Sequence, residues 1–86
     1  MSNSEVRRDP IPGLSTILRE ERLHRGLSVK ELAEKSGVSR SMLHKIESNE
    51  RTPGPLVVQR LYMVLGEPWG QKTLDLMMND LVERST

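Results

Sequence analysis

Apolar residues recur at helical spacing in five separate runs, three of them closed by a glycine, Gly26, Gly37 or Gly66. The first contains Leu14, Ile17, Leu18 and Leu23 and predicts a helix from about Leu14 to Arg25 with those four turned inward. Gly26 then serves as its C′ residue, and Leu27 folds back as the apolar contact of such an ending. In the second run Leu32 and Ala33 share a face, opened by Ser28 as N-cap with Glu31 three positions on to complete a capping box, and Gly37 ends the pattern. A third run, opened by Ser39 as N-cap, repeats Val38, Met42, Leu43 and Ile46. Between Pro55 and Gly66 a fourth buries Leu56 or Val57, with Val58, Leu61, Val64 and Leu65.

The fifth run, Leu74, Met77, Met78, Leu81 and Val82, follows i, i+3, i+4, i+7, i+8 spacing and predicts a helix from roughly Gly70 to Glu83 with that stripe inward. Leu76 then falls on the opposite side, in line with Trp69 seven positions earlier. An aromatic and methionines at helical spacing ordinarily belong to a core. This helix is longer than closing a four-helix core requires, so Trp69 and Leu76 are expected to form a two-fold dimer contact.

The joint between the second and third runs is the most constrained part of the chain. Ala33 lets two helices approach closely, and Gly37 supplies the positive φ that a three-residue turn between them needs. Ala33, Gly37, Leu43 and Ile46 together, at these intervals, resemble the helix-turn-helix of the phage repressor and Cro (XRE-like) family of DNA-binding regulators. That resemblance extends from about Leu14 to Gly66. It implies an all-α, compact five-helix lambda-repressor-like domain, with helices 2 and 3 as the helix-turn-helix and an extended C-terminal helix. Residues 1–12 are then an arm, 13–66 the helix-turn-helix domain, and 67–86 the helix that closes the core and dimerises.

Composition narrows the classes of function. Absence of cysteine removes disulfides and thiolate zinc sites and fits a reducing cytoplasm. No apolar run is long enough to cross a bilayer, and MSNSEVRRDP lacks the apolar core of a signal peptide, so a cytoplasmic location is expected. His24 and His44 have no metal-ligating partners, and no glycine-rich phosphate loop or acid, base and nucleophile set is present. Neither an enzyme nor a cofactor or metal is expected. Net charge is only +1, but Arg19 to Arg51 carries eight Lys/Arg against six Asp/Glu, whereas residues 52–86 carry three against four. The positive surface is therefore local.

In such a motif the second helix offers its N-terminal residues to the major groove of double-stranded DNA. The positions that the apolar pattern leaves outside are Ser39, Arg40, Ser41, His44 and Lys45. Arg40 is the leading base reader because its planar fork matches the O6 and N7 of guanine, and Lys45 reaches a guanine or a phosphate. Phosphate contacts are expected from Ser28 and the amides opening helix 2, from Arg51, Thr52 and the amides around them, and from Arg22. Val29 stands where many relatives carry a phosphate-binding glutamine, so that contact is either absent or replaced by the charge of Lys30. The resemblance also implies that Arg22 pairs with Glu47, against the plainer reading of two separate surface charges. Asn49 occupies a usual glycine position and is expected to be left-handed. Tyr62 and Val64 stand where small alanines are common, so either the core is repacked or Tyr62 points outward.

Arg7 and Arg8 follow a phosphate backbone or enter a minor groove, or belong to a disordered tail without a role, the reading composition favours. A homodimer would set two recognition helices one DNA turn apart on a near-palindromic operator. The rival reading is an antitoxin-like module that keeps this fold and holds a partner protein.

Overall fold

A computed structural model describes residues 10–84 of the chain, so Arg7 and Arg8 lie outside the described residues. Five helices follow one another: α1 (Leu14–His24), α2 (Val29–Ser36), α3 (Arg40–Glu47), α4 (Pro55–Leu65) and α5 (Trp69–Arg84), with no strand among the described residues. Each boundary has a local cause. At the end of α1 the Leu27 amide bonds the Arg22 carbonyl and the Gly26 amide bonds that of Leu23, with Gly26 at φ 70°. These are the paired bonds of a Schellman ending, which only a left-handed residue permits. Pro55 opens α4 with its φ preset and no N–H to strand there.

Leu18, Leu32, Val38, Leu43, Ile46, Leu61, Leu65 and Trp69 form the core. Helix α1 packs on α3 and α5, α2 on α3 and α4, and α4 on α5, so the core sits where the helix-turn-helix meets the three flanking helices α1, α4 and α5. Among the described residues no helix is long and apolar enough to cross a membrane.

Two sequence expectations change, at Leu23 and on α5, and the alternative left open between Leu56 and Val57 is resolved. Leu23 is 59% exposed, because the inward line of α1 runs through Leu14, Leu18 and then Arg22, whose partner on α3 occupies the place next to the core. Leu56 is exposed and Val57 takes the inward place. On α5 the two faces are exchanged: Trp69 is 2% exposed and Thr73 is buried, while Leu74, Met78, Leu81 and Val82 are more than half exposed. Counting apolar residues favoured the wider stripe. A single tryptophan at the first turn outweighs several leucines when it reaches the centre of the core, and it sets the rotation of the whole helix.

Trp69 therefore cannot form a dimer contact. Leu76, half-buried, lies over Gly13, where a Cβ would come 3.2 Å from its Cδ1. Its side is the packed side too. Tyr62 points outward, its hydroxyl 3.2 Å from Glu67 Oε2 and its ring edge beside Gly70, leaving no room there for a Cβ.

Candidate nucleic-acid interface

The helix-turn-helix is built by its caps. Ser28 Oγ accepts from the Glu31 amide at 3.0 Å and the Ser28 amide donates to Glu31 Oε1 at 2.8 Å, a reciprocal capping box. This bonding by Ser28, backbone first and hydroxyl second, with Lys35 and Lys30 nearby, holds the Glu31 carboxyl below its ordinary range. Gly37, at φ 78°, donates to the Ala33 carbonyl, and Arg60 of α4 donates to the Gly37 carbonyl at 3.1 Å, bracing the turn from behind. Ser36 ties the end of α2 to the turn, giving its hydroxyl proton to Leu32 O and accepting from the Val38 amide.

Ser39 caps α3 by accepting from the Met42 amide at 3.1 Å. Leu43, Ile46 and Glu47 are buried, which fixes the rotation of α3 and places Ser39, Arg40, Ser41, His44 and Lys45 together on its exposed side. The side chains of Arg40, Ser41, His44 and Lys45 have no partner within the described residues. Ser39, having spent an acceptor position on its cap, keeps a proton to donate.

What holds this helix is a fork. Arg22 Nε and Nη2 donate to Glu47 Oε2 and Oε1 at 2.7 and 2.9 Å, and Arg22 Nη1 donates to Leu27 O at 2.9 Å. The hydrogen bond to Glu47, and next to it the attraction of that carboxylate working against burial, raises the Arg22 pKa. The side chains are only 11% and 7% exposed. Arg22 is thus committed inward, with three of its donor bonds made inside the chain, and fastens α1 to the end of the recognition helix rather than standing free for phosphate. Arg19, one turn earlier and 55% exposed, donates to the Glu47 carbonyl at 3.1 Å and sits 3.7 Å from its carboxylate. It is the cation left facing solvent at this corner. Sequence reasoning missed it, although its i, i+3 spacing from Arg22 marked the shared face.

The phosphate rim divides in two. At α2 the capping box engages the Ser28 and Glu31 amides, so the amides of Val29 and Lys30 are the ones that open outward. Glu31 also puts negative charge at that helix end, leaving the attraction to Lys30, which is exposed. After α3, Asn49 adopts φ 64°, and the amides of Glu50 and Arg51 both bond the Lys45 carbonyl, at 2.8 and 3.2 Å. Those amides are therefore not available as a clamp. What this loop can offer is the exposed Arg51 side chain and the proton of Thr52, whose oxygen accepts from the Ile11 amide at 3.0 Å.

A capped, rigidly rotated second helix with a free polar face, fastened behind by an arginine–glutamate fork, defines a helix-turn-helix protein. A family model described as helix-turn-helix matches residues 18–70. The chain belongs to that family, in the XRE-like class that its sequence resembles, and this places it among DNA-binding proteins. It is similar to the HTH-type transcriptional regulator SutR of Escherichia coli (strain K12), 41% identical over 56 residues. That match covers 65% of this chain and 32% of the relative, so the chain spans about a third of that relative's length. No solved structure shows a significant match.

Proposed function

We propose that the protein is a cytoplasmic transcriptional regulator that reads double-stranded DNA with α3 in the major groove. It acts as a homodimer on a near-palindromic operator and represses by occupying promoter DNA. The observation that carries this is the outer face of α3, where Arg40, Ser41, His44 and Lys45 are exposed and without partners among the described residues, on a helix whose rotation is locked from within. A side chain that makes no internal bond gives up little on turning to a base edge. Arg40 reads a guanine; Ser39, Ser41, His44 and Lys45 complete the reading face. Ser28, Lys30, Arg51 and Thr52 position the backbone, with Arg19 taking the outward role first expected of Arg22.

Fluorescence anisotropy with Arg40→Ala tests the reading. The substitution costs about 1–3 kcal/mol on the cognate site and relaxes selectivity at one base pair. Equal losses on cognate and scrambled duplexes would refute base reading.

The exposed apolar side of α5 favours a second reading, a module that holds a partner protein in the manner of an antitoxin. Salt separates the two: DNA binding weakens steeply as salt rises, whereas apolar docking does not.

A further inference from the structure

Helix α3 is fastened at its C-terminal end by the Arg22–Glu47 fork, and a second arginine meets its other end. The turn before α3 runs through Gly37, Val38 and Ser39, and Arg40 is the first residue of the helix. Val38 is buried and anchors the middle of the turn. On either side the surface is hollow: a depression of about 420 Å³ lies toward Lys30, Ala33 and Glu34, and another of about 220 Å³ toward Met42, Leu56 and Val57. Arg60 reaches the turn at the second hollow. Its Nη1 donates to the Gly37 carbonyl at 3.1 Å, and a Cβ on Gly37 would come 3.3 Å from the same atom, so the guanidinium sits directly on the turn. Among the described residues no main-chain amide bonds that carbonyl. Helix α4 packs chiefly on α2 and α5, which makes this bond its link to the head of the recognition helix. A cation there also suits the negative end of α2.

We infer that Arg60 is a positioning residue for base reading: by holding the Gly37 carbonyl it fixes where α3 begins, and so where the Arg40 fork stands. The inference rests on the role proposed above for Arg40. A two-pronged contact to one guanine edge needs both hydrogen bonds aligned at once, and hydrogen bonds weaken steeply with angle. Lys30, a point charge on a flexible stem, absorbs the same shift at a phosphate. Loosening the turn therefore lowers discrimination between sequences more than it lowers affinity for DNA at large. Arg60 is exposed, so its bond contributes little to folding, which separates it from the buried Arg22.

The test uses the full chain and the operator recovered by selection from random duplex DNA. Fluorescence anisotropy reads discrimination as the affinity ratio between that operator and a duplex changed at the base pair whose selection Arg40→Ala abolishes. Arg60→Met keeps the stem and removes the donor, whereas Arg60→Lys keeps a donor. Arg60→Met is expected to stay folded by circular dichroism, to lose roughly two- to tenfold in discrimination, the range of one hydrogen bond, and to keep the wild-type salt slope. Arg60→Lys should restore most of that loss. In an Arg40→Ala background Arg60→Met should leave the ratio unchanged, because the residue it acts through is gone. Full discrimination in Arg60→Met overturns the inference, and so does a further loss in the Arg40→Ala background. Equal weakening on both duplexes with a salt slope lower by about 1 makes Arg60 a phosphate contact and overturns it too. An Arg60→Met that does not fold makes the residue a structural one, with the same result. An Arg40→Ala that leaves base selection intact, or recovery of no operator, overturns the base reading and this inference together.

Discussion

Replacing Glu47 with alanine removes the acceptor of the Arg22 fork and leaves a guanidinium of low exposure facing the core edge, with Arg19 as a second positive charge close by. Two charge-assisted hydrogen bonds are lost, each with a net contribution of about 1.5–3 kcal/mol. Relief of the desolvation and ordering costs offsets part of this loss, so the expected destabilisation is about 3 kcal/mol, at the low end of the roughly 3–5 kcal/mol seen when one partner of a buried pair is removed. For a domain of this size that corresponds to a fall in Tm of roughly 12–24 °C. Arg22→Ala should be milder, because Arg19 remains within reach of the stranded carboxylate. Arg22→Met with Glu47→Leu should recover much of the loss, since neither charge is then left alone. Thermal and urea unfolding followed by circular dichroism, arranged as a double-mutant cycle, reads all three. If Glu47→Ala cost less than about 1 kcal/mol, as exposed ion pairs do, the fork would not be what fixes the recognition helix.

Three further outcomes are expected. Arg51→Ala should weaken binding to every DNA sequence and lower the slope of log affinity against log salt by about 1, measured by anisotropy across a salt series; a change confined to one base pair would contradict its phosphate role. Glu31→Gln keeps the capping box but removes a carboxylate from the phosphate-facing end of α2, so DNA binding at low salt should strengthen. Because the folded-state pKa of Glu31 is lowered, its charge stabilises the fold at neutral pH, and this is lost as pH falls below the ordinary glutamate range. The Tm gap between wild type and Glu31→Gln should therefore close on acidification, and a gap that widened would reverse the sign. Thr73→Val replaces a buried hydroxyl that, like the neighbouring Trp69 Nε1, has no hydrogen-bond partner among the described residues, and should raise stability by about 1 kcal/mol in urea unfolding; a loss of that size would mean the hydroxyl is satisfied.

Where short-range rules decide the structure, the sequence is legible. Ser28 with Glu31, Gly37, Ser39, Gly26 and the left-handed Asn49 all do what their side chains or freedom of φ require within four or five residues. The outer face of α3 follows, because burying Leu43 and Ile46 leaves a single rotation for an eight-residue helix. Helix α5 was not legible in the same way. Its two faces are both partly apolar, and the choice between them is made by the depth Trp69 reaches against α1 and α4, a tertiary quantity that periodicity does not contain. The same holds for Arg22 and Arg19: one turn apart on α1, they differ in role because only one lies where Glu47 can meet it with both oxygens. The amides around Arg51, expected at phosphate, lie instead beyond a left-handed Asn49, and those of Glu50 and Arg51 both bond Lys45 O.

Selection of bound sites from random duplex DNA at low ionic strength, using the wild-type chain, addresses recognition by α3 most directly. The account predicts enrichment of a near-palindrome whose half-sites lie about 34 Å apart, one helical turn, each carrying a guanine whose selection is lost with Arg40→Ala. Recovery of no enriched sequence would contradict it.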